Sequence, residues 1–552
     1  MGQSHAKGVD RLAQALVHLG VDVAFGLPGV HNLPIWEAFE ALGIRIIGVR
    51  HEQTAAYAAD GYSRATGKLG VALVTTGPGA ANAIGATGEA FTVGSRILVM
   101  ATDIDTAIRR PGVFRGALHE CKDQTGMFEP VTKATWYATE ADKLGEDTLA
   151  AGREALAAPS GPVYLGVPLD VLNGAAPTIL DLSEPERTNI ELTSSELHSA
   201  ATKINKATNP LIWAGGGAVA AGCGGNVARL AELIAAPIMT TYGAKGLVSY
   251  EHPNVLVSPP QVPLSEALWN EADLVIAIGS DFDAMMTKSW GMQQPRQLLA
   301  INVNPADASK NYATDQVLCG DANVVLEQLL PSISDSGRNE GIVARVAEID
   351  RQVWADAENE CADATNFLDI IRNTLPPNAN IVADMCVAGY WSGGFCRVPE
   401  PRKLAYPVGW GTLGFALPAS IGTATADTGP TVVIAGDGGF LYAPGELATI
   451  MQEDIPLTIV VIDDGGYGML KFAQDYAGLP NQGVDLHTPD FAQLAESFGL
   501  DARSVIGLGD DFALALKEGI ASGRPNLIWA KARLLPPPNT STRSATTKAG
   551  HA

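Results

Sequence analysis

The sequence predicts an α/β protein built from three doubly wound parallel-sheet units, spanning 1–180, 196–330 and 360–535. Apolar runs of strand length alternate with helical patterns along the chain, and that alternation indicates parallel sheets covered by helices on both faces. Glycine or proline follows several of the runs, as in Gly26-Leu27-Pro28-Gly29 and Gly77-Pro78-Gly79. With 552 residues, 46% hydrophobic and 18% charged, the chain is too long for one core and too apolar for disorder.

In the first unit the pattern gives a helix over 8–19 and strands over 23–25, 44–49, 71–75, 97–101 and 163–167. A polar stretch, 181–195, reads as a linker. The second unit has strands over 211–213, 237–240, 274–278 and 298–303. The Ser-, Gly- and charge-rich stretch 331–340 reads as a second linker. Strands over 381–383, 431–435 and 457–462 anchor the third unit, and the Pro- and Thr-rich tail 536–552 is expected to fray.

The net charge of −23 argues against nucleic acid or an anionic membrane as partner, since both repel it. Cys121, Cys223, Cys319, Cys361, Cys386 and Cys396 are scattered without a CxxC pair, which fits free thiols in a reducing compartment. No signal peptide is read at the N-terminus, and no apolar run approaches the roughly 18 residues of a membrane span. The expectation is a soluble cytoplasmic protein.

The densest chemistry lies between Gly436 and Gly468. Two apolar strands flank a helical pattern, and each delivers an acid at its C-terminal end: Asp437 between glycines, and Asp464 27 residues later. In parallel sheets ligands bind at those ends. Glycines beside Asp437 let backbone approach a bulky anion, and a carboxylate tolerates such an anion only with a cation between them. Mg²⁺ suits that place, held by one or two carboxylates plus phosphate oxygens. Asp437 and Asp464 are the expected ligands, with the Gly466 carbonyl as a third.

This stretch resembles the GDG…N motif of the thiamine diphosphate (ThDP) enzymes, in particular the acetolactate synthase and 2-oxo acid decarboxylase group. The resemblance runs over nearly the whole chain. It implies an N-terminal pyrimidine-binding domain, a central domain and a C-terminal diphosphate-binding domain. It also implies a homodimer or homotetramer with active sites between subunits. One departure is Asp464, where the family usually has Asn; the extra charge should favour divalent cations and weaken the net attraction for diphosphate.

Residue by residue, the resemblance implies further roles. Glu52, after the 44–49 strand and ahead of an alanine-rich helix, would contact the aminopyrimidine ring and promote formation of the C2 ylide. Gly77, Pro78 and Asn82 would lie against that ring. In Gly409-Trp410-Gly411-Thr412-Leu413, the last residue would be the apolar wedge under a bent cofactor, with Gly411 beside it. Cys386, Val387 and Ala388 fall where backbone meets the diphosphate, although the family's usual Gly and polar residues are absent. Gly436, Gly438, Gly439, Tyr467, Gly468 and Met469 complete the cofactor contacts.

His31 and His119 lie on loops that line the family's active site, where an imidazole can relay protons. FGLPGVHNL and LHECKDQ look most like the branch of 5-guanidino-2-oxopentanoate decarboxylase, with Glu120 or Asp123 as the candidate acid for a guanidinium. Met469, Leu470 and Phe472 are expected to face the substrate, apolar where pyruvate decarboxylases carry an acid. Asp281-Phe282 and Asn304 stand where flavin-binding relatives carry other residues, so FAD is not expected. The leading expectation is ThDP- and Mg²⁺-dependent decarboxylation of a 2-oxo acid through a ylide and an enamine. Acetolactate synthase or another carboligase is the alternative, and a non-catalytic ThDP-binding homologue the second.

Overall fold

The computed structural model describes residues 6–110, 112–177, 179–183, 192–335, 337 and 340–540. The described strands form three parallel sheets. The first holds β1 (Val23–Gly26), β2 (Arg45–Gly48), β3 (Gly70–Val74), β4 (Ile97–Asp103), β5 (Ala134–Tyr137) and β6 (Val163–Pro168), in the order β2-β1-β3-β4-β6-β5. The second holds β7 (Pro210–Ala214), β8 (Ile238–Thr240), β9 (Leu274–Ile278), β10 (Leu298–Asn302) and β11 (Gln316–Cys319), in the order β11-β10-β9-β7-β8. The third holds β12 (Asn380–Ala383), β13 (Leu404–Ala405), β14 (Thr431–Gly436), β15 (Leu457–Asp463), β16 (Asp501–Ile506) and β17 (Asn526–Lys531). Its order, β13-β12-β14-β15-β17-β16, repeats the winding of the first sheet. Helices between strands cover both faces, so central strands such as β4 and β14 are buried along their whole length.

The two outer sheets are joined by a pair of small-residue helices, Glu52–Thr66 and Ala416–Thr425. They touch backbone to backbone. A Cβ on Gly61 would stand 2.0 Å from the Ala419 carbonyl oxygen, and one on Gly422 would stand 1.8 Å from that of Ala58. One apolar cluster therefore runs from Phe25 and Ala72 in the first sheet to Val433 and Val461 in the third. The second sheet is joined to the third by another cluster that includes Trp213, Trp269, Trp391 and Phe512.

Two readings of connecting segments change. Ser194 and Ser195 begin a helix, Ser194–Lys206, capped by Thr193 and Glu196; residues 184–191 of the expected linker lie outside the described residues. The proline-rich end does not fray at its start. Leu535 accepts the Trp391 indole N–H at 2.7 Å, and Asn539, buried, donates to the Tyr242 hydroxyl at 2.6 Å. Residues 541–552 lie outside the described residues. Among the described residues no helix is long and apolar enough to cross a membrane.

Candidate active site

The C-terminal ends of β14 and β15 open into one cleft. Its wall contains Cys386, Val387, Ala388, Leu413, Gly436, Asp437, Gly438, Gly439, Asp464, Gly466, Tyr467, Gly468 and Met469. Every residue assigned above to the third unit's cofactor or metal site is there except Gly411. That glycine, at φ +67°, turns the chain two residues before Leu413. Met385, Tyr390, Leu470 and Leu534 complete the apolar side of the wall. Phe472 is turned elsewhere and stacks on Tyr476 with centroids 6.2 Å apart.

The acids in this cleft are set for a cation. Asp437 is buried; its Oδ1 accepts the Gly438 N–H at 2.8 Å, while Oδ2 is buried without a hydrogen-bond partner. Burial pushes its carboxyl well above the usual range, and the charges of Asp464 and Asp463 add to the rise. Burial likewise raises Asp464 to about 6. An orphaned buried acceptor beside a second strained acid is costly alone and is relieved by a positive ion. No group of three or more His, Cys, Asp or Glu side chains placed for a metal occurs among the described residues. Two carboxylates and a carbonyl fit Mg²⁺, which draws its other ligands from water and phosphate.

The glycines have a second use that the sequence reading missed. A Cβ on Gly438 would meet the Tyr467 ring at 2.6 Å, and one on Gly439 would stand 2.9 Å from Asp384 Oδ2. Their bare Cα atoms make room for protein side chains as well as for a ligand. Asp384 itself was missed. It follows β12 fully buried and accepts the N–H groups of Met385 at 2.7 Å and Gly414 at 3.0 Å; burial raises its carboxyl to about 6. It ties the strand end to the loop of Leu413. The signal was present, since Asp384 follows an apolar strand as Asp437 does.

A second group of residues gathers at the first sheet. Glu52 is buried at the start of its helix, and Asn82 donates to Glu52 Oε2 at 3.0 Å. Gly79 lies against Oε1, where a Cβ would come within 3.2 Å. Gly77, at φ +66°, donates its N–H to Gln124 Oε1 at 2.7 Å. Gln124, the last residue of the LHECKDQ stretch, is also held by the Thr102 carbonyl and the Tyr164 hydroxyl, a buried anchor to which no role was assigned above. Pro78 opens the short Pro78–Asn82 helix.

His31 and His119 come together edge to face, with ring centroids 5.5 Å apart. Burial and then the His119 charge lower the His31 pKa, which favours its neutral form. His119 sits at φ +67°, and its carbonyl lies so close to Gly77 that a Cβ there would stand 2.8 Å away. Glu120 and Asp123 fold back onto their own loop, accepting N–H groups of Arg115 and Ala117 and of Gly126. None of this first-sheet group lines the cleft of the third sheet.

Two parallel sheets of one winding, one presenting a buried Glu and paired imidazoles, the other a glycine-walled acidic cleft, define an enzyme that works through a bound cofactor. Three family models identify it further. The thiamine pyrophosphate enzyme N-terminal TPP binding domain matches residues 6–127, the central domain 197–329 and the C-terminal TPP binding domain 384–530. The chain belongs to the thiamine pyrophosphate enzymes, whose cofactor is ThDP.

Among curated proteins, the probable 2-ketoarginine decarboxylase AruI of Pseudomonas aeruginosa is 34% identical over 537 residues, covering 94% of this chain and 92% of that protein. The probable acetolactate synthase large subunit of Methanocaldococcus jannaschii is 32% identical over 547 residues, covering 95% and 91%. The acetolactate synthase isozyme 3 large subunit of Escherichia coli is 29% identical over 513 residues, covering 89% and 88%.

Proposed function

We propose that this enzyme decarboxylates a small 2-oxo acid, using ThDP held through Mg²⁺ by Asp437, Asp464 and the Gly466 carbonyl. The observation that carries the metal reading is the buried, partnerless Oδ2 of Asp437. When bound, ThDP supplies the carbon nucleophile for the 2-oxo group and the electron sink that lets carbon dioxide leave. The chain's own residues do the rest. Leu413 rises from the cleft wall as the apolar support for a bent cofactor. Asn82 holds Oε2 of Glu52, so that Oε1 is set to exchange a proton with the aminopyrimidine. His31 and His119 are close enough to pass a proton between substrate and solvent. Met469 and Leu470 give that side of the cleft an apolar surface.

Glu52 is not among the residues that line the acidic cleft of its own chain, so we infer a homodimer or homotetramer in which each site draws on two chains. A cytoplasmic location belongs to the same reading and is supported by six cysteines that are all free thiols. Support for decarboxylation comes from the 34% relative, described as a probable 2-ketoarginine decarboxylase, and from the paired histidines. A second reading, carboligation in the manner of the acetolactate synthase relatives, is favoured by one feature: the stretch of wall formed by Met469 and Leu470 is apolar and offers no acid of its own to protonate a product carbon.

Product analysis separates the two. The purified protein, with ThDP and Mg²⁺, is offered 5-guanidino-2-oxopentanoate and pyruvate separately, and carbon dioxide and organic products are followed. The expected result is an aldehyde from the guanidino acid. Acetolactate from pyruvate would instead establish the carboligase. Glu52→Gln should lower turnover by about 100-fold or more with ThDP binding kept; unchanged turnover with either acid would overturn the role of Glu52.

A further inference from the structure

We propose that Glu446 and Glu89 are reciprocal positioning residues, each reaching across the boundary between the outer sheets to fix the backbone that carries the other side's cofactor-handling residue. The inference rests on the reading of Glu52 and Leu413 given above.

Glu446 lies just after the cleft of the third sheet and is buried. Its Oε1 accepts the N–H groups of Arg50 at 3.0 Å and His51 at 3.1 Å; its Oε2 accepts Arg50 again at 3.2 Å and the Thr449 hydroxyl at 2.7 Å. Those two N–H groups belong to the turn that ends at Glu52. The Arg50 guanidinium is engaged elsewhere, by the Gly48 carbonyl and Gln452. Glu446 thus grips backbone, and the next residue along that backbone is the proposed proton handler.

Glu89 mirrors it from the first sheet. Fully buried, it accepts the N–H groups of Gly409 at 3.3 Å and Trp410 at 3.1 Å and the Thr412 hydroxyl at 3.3 Å. The next residue there is Leu413. Arg64 stands 3.5 Å from Glu89, is held by Asp60, and lies over the Phe415 ring. The loop is also seated sterically: a Cβ on Gly88 would meet the Trp410 ring at 2.6 Å, and one on Gly409 would overlap Thr92.

Carboxylates suit both places. A strand-to-helix turn leaves successive N–H groups without partners, and one carboxylate accepts two of them in charge-assisted bonds. Gln keeps the size and one acceptor but turns an NH₂ toward an N–H, so the turn moves while the fold survives. Glu453→Gln is the control. It breaks the Arg45–Glu453 pair, which crosses the same boundary without touching either turn.

The test compares Glu446→Gln, Glu89→Gln, Glu453→Gln and Glu52→Gln in the full chain. It measures ThDP affinity with Mg²⁺, hydrogen–deuterium exchange at C2 of bound ThDP, and amide exchange of the cofactor-free protein. Glu446→Gln should slow C2 exchange about tenfold or more with ThDP affinity within about threefold of wild type. Its amide exchange should quicken around Arg50 and His51 and not around Trp410. Glu89→Gln should weaken ThDP binding about tenfold or more and quicken exchange around Trp410 alone. Glu453→Gln should match wild type. Cofactor readouts within threefold of wild type in both Gln variants, with C2 exchange lost in Glu52→Gln, would overturn the proposal. Unchanged C2 exchange in Glu52→Gln would overturn the reading beneath it and the proposal with it.

Discussion

Asp437 has one oxygen satisfied and one buried without a partner. On the proposed reading Mg²⁺ and diphosphate would answer that imbalance, so Asp437→Ala should weaken ThDP retention more than about tenfold, on the order expected for a lost metal ligand. Cofactor content after desalting, with and without chelator, checks it; stoichiometric ThDP in the chelated variant would sink the metal assignment. This acid was legible because a short-range pattern carries it: apolar strand, glycine, acid, glycine. Glu446 and Glu89 were not legible. Their partners are backbone N–H groups hundreds of residues away, and such a bond leaves no trace in either local sequence. His31 and His119 lie between these cases. Each loop was visible, but the pairing of the rings depends on a sheet order that leaves only β3 between β1, which precedes His31, and β4, which precedes His119.

At the scale of elements, the helices Glu52–Thr66 and Ala416–Thr425 set how the two outer sheets sit. Their contact uses Gly61 and Gly422 because neither position has room for a methyl group. Gly422→Ala should therefore cost about 1–3 kcal/mol, seen as a lower thermal midpoint. Amide exchange should quicken in both helices together; a variant as stable as wild type would show that the helices slide apart freely. Strand prediction followed the same physics. The buried central strands other than β17 were found within a residue or two, since burial on both faces demands a continuous apolar run. The strands left unread were β5, β11, β13, β16 and β17. The first four lie at sheet edges, and β16, mostly exposed as Asp501–Ile506, has no apolar run to read.

The whole molecule is three sheets welded by two apolar clusters, and its charge balance is felt at the seams. Lys245 is buried near Cys396 and Asp350, beyond the second sheet's β8, with its ammonium 3.3 Å from the Val257 carbonyl. Burial lowers its pKa to about 8. Between about pH 8 and 10.5 the unfolded chain binds a proton that the folded chain does not, so this group's contribution to stability rises with pH across that window. Below pH 8 the fold carries the cost of a buried charge, about 3 kcal/mol. Lys245→Met should raise the thermal midpoint at pH 7 and flatten its rise from pH 8 to 10. An unchanged slope would show that Lys245 stays charged in the fold.

That Glu52 does not line the acidic cleft of its own chain has, on the proposed reading of a site shared between chains, a genetic consequence. Two defective alleles, Glu52→Gln and Asp437→Ala, damage opposite halves of different sites. Expressed together they should complement: in randomly mixed dimers about one site in four receives both sound halves. Activity near a quarter of wild type from co-expressed mutants, and near zero from either alone, would be the mark of a site shared between chains. Failure of the mixture to recover any activity would confine each site to a single chain.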